Sequence, residues 1–348
     1  MAETIYKEAL DAYANPLHEF TVEVLDGGLI NSSFKITCTT LPYSFLLQRI
    51  NHHVFKKPED VQLNYQLLWK HLESGSVDVY MPEPKYFLGE ADLYWDNNRN
   101  YWRVLEFIDD GKMLSNAETP EQARETAKTF ALFTGAFQNF DVDLLKETIP
   151  DFHNLSFRYK QFEDSLKGEQ YERIQKAAPL IEELKSRIRY VNFYEVITES
   201  AEFPKRVMHH DAKIANILFS KTTGNVICPI DFDTTMPGYF FSDLGDMIRS
   251  MACSHDETST DFENITIRKE FYDAIVDGYL SVMDKYLTAS EKKNIHYAGI
   301  IIIYMQALRF MTDYLNGDIY YKIAYPEQNF DRAKNQLTLL KVLEQVIR

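Results

Sequence analysis

The chain has 348 residues, 45% hydrophobic and 14% aromatic, with a formal net charge of -15 and a pI near 5.1. That length exceeds what one hydrophobic core usually organises, so two domains or two lobes are expected, and the aromatic content excludes a disordered or low-complexity chain. The acidity argues against a protein that tracks a nucleic-acid backbone, which needs a basic face to displace counterions.

Three cysteines, Cys38, Cys228 and Cys253, lie far apart without CxxC spacing. A sparse, odd set fits reduced thiols better than a disulfide framework or a zinc site. The first ten residues carry acids and no apolar run, so no signal peptide is expected. The longest apolar stretch, from Ala298 to Met305 and extended only to Leu308, falls short of the ~20 residues of a membrane span. The chain is expected to be cytoplasmic and monomeric, without nucleic-acid or membrane partners.

In chain order, short alternating segments predict strands over 20–25, 33–37, 44–50, 93–95 and 102–107. Between them, Val61, Tyr65, Leu68 and Leu72 recur at helical spacing over 59–72. The first part therefore reads as a small sheet with one helix. Beyond Asp109-Asp110-Gly111 the period turns helical. Thr119-Pro120-Glu121-Gln122 supplies an N-cap, a first-turn proline and a capping-box glutamine, followed by the stripe Phe130, Phe133, Phe137. Further helical patterns cover 171–190, 267–286 and 298–315, the last closed by Asn316-Gly317. One hairpin interrupts them, 216–219 and 226–230 around Thr222-Thr223-Gly224-Asn225. The expected architecture is α+β and bilobed, with a β-rich nucleotide-binding lobe over 1–108 and a larger, mainly helical catalytic and substrate-binding lobe over 109–348.

The chemistry-bearing residues flank the hairpin. His209-His210-Asp211-Ala212-Lys213-Ile214-Ala215-Asn216 precedes it, and Asp231-Phe232-Asp233 follows. Phosphoryl transfer needs a carboxylate to accept the proton of the attacking hydroxyl and hard oxygen ligands to hold Mg²⁺ on the phosphates. Asp211 is the expected catalytic base, and Asn216 and Asp231 the expected metal ligands, with ATP and Mg²⁺ as cofactors. Asp233 and Lys213 are left between functional and structural roles; His209 is expected to brace the loop. Asp243 and Asp246, in the first turn of a following helix, read as structural acids, Asp243 a possible buttress of the loop through backbone N–H groups.

Upstream, Gly27, Gly28, Asn31 and Ser32 lie in a turn between two strands, where backbone N–H groups can approach phosphate oxygens. No GxxxxGK[ST] is present, which disfavours a P-loop kinase. The third strand offers Gln48 where a kinase carries a lysine, so either the amide bonds the nucleotide or another residue supplies the charge. Glu106-Phe107-Ile108 is a candidate hinge, with Glu106 and Ile108 reading an adenine edge.

The HxDxxxxN and IDxD arrangement resembles the aminoglycoside phosphotransferase and choline kinase superfamily, and within it the N-acetylhexosamine 1-kinase family. The similar stretches include Leu47-Gln48-Arg49-Ile50-Asn51, Tyr101-Trp102-Arg103-Val104, Thr234 to Gly238, Asp243 to Arg249, and Arg309 through Tyr320 to Glu327. The resemblance implies transfer of the ATP γ-phosphoryl to the anomeric hydroxyl of N-acetylglucosamine or N-acetylgalactosamine, with Asp211 as base and Arg309 and Tyr320 at the sugar pocket. By its own chemistry, Arg309 interrupts an apolar helix and needs a polar partner, either substrate or Asp313 at helical spacing. Two alternatives stay open: a same-fold kinase of choline, homoserine or an aminoglycoside, and an inactive nucleotide-binding module.

Overall fold

The computed structural model describes residues 5–14, 17–25, 30–75, 79–168 and 170–347. The chain divides into two compact units. One comprises Met1–Met113, Asn139–Pro150 and Ile217–Pro237; the other comprises Leu114–Gln138, Asp151–Asn216 and Gly238–Arg348.

The first unit is built on an antiparallel sheet in the order Phe20–Leu25, Ser32–Cys38, Ser44–Ile50, Tyr101–Glu106, Pro84–Lys85, with Tyr94–Trp95 also paired to Tyr101–Glu106. Alternation sends Phe34, Ile36, Phe45, Leu47, Trp102 and Val104 to one face, where they pack with Ala9 and Leu10 of a short helix, Lys7–Tyr13. That helix escapes the sequence pattern because seven residues give barely two turns of periodicity. The register sets Gln48 directly opposite Arg103, so both side chains share a face. Helix Pro58–Ser74 starts with proline in its first turn, has Glu59 and Asp60 at its positive end, and buries Val61, Tyr65, Leu68 and Leu72.

A second sheet in this unit joins Gly111–Lys112, Ile217–Ser220 and Val226–Pro229. Gly224 closes its hairpin at φ +76°, a conformation an L side chain rarely adopts. Asp110 anchors the turn by accepting from the Ser220 hydroxyl (2.5 Å) and the Thr222 hydroxyl (2.7 Å). Those bonds hold its carboxyl below the ordinary carboxylate range.

The second unit is mainly helical. Helix Pro120–Ala136 carries the expected capping box, Thr119 accepting from the Gln122 N–H and the Gln122 side chain accepting from the Thr119 N–H. It packs against Lys269–Met283 at close range, since a Cβ on Gly278 would come within 2.4 Å of the Arg124 carbonyl oxygen. Tyr297–Leu315 forms the centre of the unit and packs on Phe241–Met247 and on Gln328–Val346. Its Ile301, Ile303 and Leu308 are fully buried, each worth about 1.5–3 kcal/mol. Phe241–Met247 runs on into a wider turn over Ile248–Ala252, hydrogen-bonded five residues apart. The three cysteines are buried free thiols. Among the described residues, no helix is long and apolar enough to cross a membrane.

Candidate active site

In the helical unit, strand Arg206–Met208 leads into the loop that carries Asp211. Asp243, at 0% exposure, holds that loop from below. Its two oxygens accept from the backbone N–H groups of His209 (2.9 Å) and His210 (2.7 Å), so the expected buttress is realised. Burial pushes the Asp243 carboxyl up to about 7, against the pull of those two N–H groups. His210 adopts φ +65°, a strained conformation that survives because the loop is pinned on both sides. The buried His209 ring accepts from the Asp211 N–H (3.3 Å) and sits edge-on to Phe130, the brace the sequence leads one to expect.

Asp211 itself receives the Lys213 ammonium (2.8 Å) and the Asn216 amide (2.8 Å) on the same carboxylate oxygen. Burial alone would raise its pKa. The Lys213 charge and hydrogen bond, together with the Asn216 amide, outweigh burial and place it below the ordinary carboxylate range. Asn216 spends its Nδ2 on Asp211, so the oxygen of its amide, Oδ1, is the atom with hard-donor character. Further out, Asp246 pairs with Arg249 (2.8 Å), Arg249 with Glu257 (2.8 Å), and Glu257 with Arg332, a chain of alternating charge that runs from the buried Asp246 to partly exposed partners.

The same unit contains a cavity of about 130 Å³ lined by Arg158, Arg309, Thr312, Tyr320 and Tyr321 among others. The Arg309 guanidinium lies 5.4–5.9 Å from the ring centres of Phe152, Tyr321 and Tyr320 and donates to Gln306 (3.0 Å). The alternative pairing with Asp313 is not made. That carboxylate turns away to the N–H groups of Tyr320 (2.8 Å) and Tyr321 (2.9 Å) and to the Asn329 amide (2.9 Å). Phe152 stacks on His153, whose Nδ1 lies 3.2 Å from Nδ1 of His210, the neighbour of Asp211. Burial first, and then the neighbouring His210 and Arg309, push the His153 pKa well below its ordinary value.

In the sheet-bearing unit, Ile217 pairs with Pro229, so the open end of the hairpin is followed in sequence by Asp231 and preceded by Asn216. Asp231 takes φ +64°, which re-aims the chain between the strand and the turn Phe232–Thr234. Asp233 is committed elsewhere: its carboxylate accepts from Arg103 (2.5 Å) and from the Asn31 amide (2.6 Å). Arg103 also donates to Gln48 through Nε (2.9 Å) and Nη2, and Gln48 donates to the Ser33 hydroxyl (2.8 Å). The positive charge beside the strand position that a kinase gives to lysine is thus Arg103, reached across the sheet.

Of the expected nucleotide contacts, Gly27 and Gly28 lie outside the described residues. Asn31 is held between Asp233 and the Asn51 N–H (2.9 Å), and the Ser32 hydroxyl accepts from Arg49 (3.0 Å). Glu106 ends its strand and accepts from the Glu83 N–H (3.1 Å), and the Ile108 carbonyl accepts from the Gly111 N–H. The structure gathers Gln48, Asn31 and Asp233 into one network in this unit, and Arg309 and Tyr320 around one cavity in the other. Sequence reasoning missed Arg103 and Arg158. A charged residue between Trp102 and Val104 in an apolar strand was the available signal for the first. Arg158 lies in an 11-residue helix, Leu155–Ser165, and had no comparable signal. The Asp231 carboxylate in the sheet-bearing unit and the Asn216 Oδ1 in the helical one are each hard oxygens, the donor type that suits Mg²⁺.

A family model described as "Phosphotransferase enzyme family" (APH) matches residues 21–287. The fold is similar to an aminoglycoside phosphotransferase from Alicyclobacillus acidocaldarius (15% identity, 97% of this chain and 95% of that one covered, TM-score 0.62). It is also similar to a Plasmodium vivax ethanolamine kinase (15%, 96% and 85%, 0.57) and to a spectinomycin phosphotransferase in complex with ADP and spectinomycin (12%, 97% and 97%, 0.60). The α+β, kinase-like architecture expected from the sequence is therefore the one found. With a family model covering most of its length, the chain belongs to the APH phosphotransferase enzyme family and is a small-molecule phosphotransferase.

Proposed function

We propose that the protein transfers the γ-phosphoryl of ATP to the anomeric hydroxyl of an N-acetylhexosamine, N-acetylglucosamine or N-acetylgalactosamine, giving the sugar 1-phosphate. The observation that carries this reading is the state of Asp211. It is ionised, oriented by Lys213 and Asn216, and belongs to the same unit as the cavity with Arg309 and Tyr320.

Asp211 accepts the proton of the attacking hydroxyl. An anomeric hydroxyl is more acidic than an ordinary alcohol, so a carboxylate held below its usual pKa is still a sufficient base. His210, pinned by Asp243, fixes the backbone from which Asp211 projects. Aromatic rings and a guanidinium suit a sugar face and its hydroxyls. Asn216 and Asp231 would hold Mg²⁺, which when bound supplies charge neutralisation on the transferred phosphoryl group. In the sheet-bearing unit, Gly27, Gly28, Asn31, Ser32, Gln48, Glu106 and Ile108 are assigned to ATP.

The test is incubation with Mg-ATP and N-acetylglucosamine, N-acetylgalactosamine, glucose, galactose, choline, homoserine or kanamycin, following ADP release and locating the phosphate in the product. Selective formation of N-acetylhexosamine 1-phosphates is expected. Phosphorylation of choline, homoserine or kanamycin in preference would overturn the acceptor assignment and keep the kinase.

A further inference from the structure

Arg158 and Arg309 both line the 130 Å³ cavity, and among the described residues neither is ion-paired to a carboxylate. Arg158 donates to the Gln161 side chain (2.9 Å) and more distantly to the Phe152 carbonyl (3.4 Å), while its buried Nε has no hydrogen-bond partner. Burial and then the charge of Arg309 lower the Arg158 pKa to about 10, so the two cations destabilise one another across the cavity. Two further buried polar atoms there have no partner, Oγ1 of Thr312 and the hydroxyl of Tyr321. The one carboxylate in the lining, Asp313, directs its oxygens to Tyr320, Tyr321 and Asn329.

Two mutually repelling guanidinium groups with vacant donors, flanked by two unbonded hydroxyls, are complementary to an oxyanion. A neutral hydroxyl could satisfy some of these donors but could not relieve the repulsion. We propose that this cavity recognises an anionic substituent on the acceptor, a carboxylate or a phosphate monoester carried by the sugar, with Arg158 as its specificity-determining residue. This inference rests on the reading of Arg309 and Tyr320 as part of the acceptor pocket. The cationic amino alcohols and aminoglycosides are disfavoured by the same charge. A charge-assisted pair formed in the pocket should favour an anionic sugar over its neutral parent by about 10- to 100-fold.

The experiment compares kcat/KM for N-acetylglucosamine, N-acetylglucosamine 6-phosphate and N-acetylmuramic acid in the full-length wild type, Arg158→Met and Arg158→Lys. Calorimetric titration of both anionic sugars and of inorganic phosphate runs in parallel. The expected result is a preference for at least one anionic sugar, carried by KM, that collapses in Arg158→Met and partly returns in Arg158→Lys. Turnover of the neutral sugar with no anionic preference, or a preference that survives Arg158→Met, overturns the inference and leaves the kinase reading intact. If no sugar is phosphorylated, the sugar-kinase reading fails, and titration decides the site: binding of an anionic sugar that Arg158→Met abolishes supports it. Absence of such binding, or binding of inorganic phosphate as tight as that of the sugars, overturns it.

Discussion

Arg103 and Asp233, 130 residues apart in sequence, form a buried ion pair at 2.5 Å with side chains only 2% exposed. The pair joins the interior strand Tyr101–Glu106 to the turn that follows Asp231; Asn31 donates to Asp233, and Gln48 accepts from Arg103. Asp233 therefore acts as a positioning residue for the Asp231 turn, through a charge that sits beside the strand position usually held by lysine.

Breaking this pair from one side should be costly. Arg103→Met leaves the Asp233 carboxylate buried and unpaired, with an expected loss of about 3–5 kcal/mol. The double variant Arg103→Met/Asp233→Asn should recover part of that loss. Urea unfolding of the four proteins in the cycle measures the coupling; strictly additive losses would show that the pair does not act as a unit.

Asp211 stays ionised through neutral pH because Lys213 and its partners outweigh burial. Lys213→Met removes the largest of the stabilising charges, so the acid limb of the kcat/KM profile should move to higher pH. Profiles between about pH 4 and 9 test this, and an unmoved limb would mean that Lys213 does not set the protonation of the base.

Asp243 behaves in the opposite sense. Its folded value of about 7 lies above the unfolded carboxyl, so between the two the folded protein holds a proton that the unfolded chain has released. Its contribution to stability is greatest below about pH 4 and is lost as pH rises to about 7. Asp243→Asn should flatten this slope, read as urea midpoints at pH 5 and pH 8 in wild type and variant. Parallel slopes would contradict it.

Gly245 lies where Phe241–Met247 crosses Tyr297–Leu315, and a Cβ there would fall 2.4 Å from the Ala298 carbonyl oxygen. Backbone cannot give way as a flexible side chain can. Gly245→Ala should cost about 1–3 kcal/mol by overpacking, seen as a lowered Tm.

Much of this was legible in the sequence because the signals were local. The capping box at Thr119 and Gln122, the four-residue stripe of Pro58–Ser74 and the turn at Gly224 are each written within a few residues. The spacing of Asp211, Asn216 and Asp231 around a hairpin is local as well. Helix Gln328–Val346 was not read, since Asn329, Asn335 and Gln336 are among its buried residues and blur the apolar stripe. The return of Asn139–Pro150 and Ile217–Pro237 to the sheet-bearing unit depends on tertiary contacts that no local pattern encodes. The Arg103 and Asp233 pair and the cavity shared by Arg158 and Arg309 are long-range relationships of the same kind.

The central claim is that Asp211 is the base of a phosphoryl transfer. Asp211→Asn preserves shape and removes the proton acceptor, so kcat should fall by about 100- to 10,000-fold while the Kd for ATP, measured by calorimetry in the same preparation, stays within a small factor of wild type. Retention of turnover by Asp211→Asn, with its fold and nucleotide affinity intact, would contradict the account.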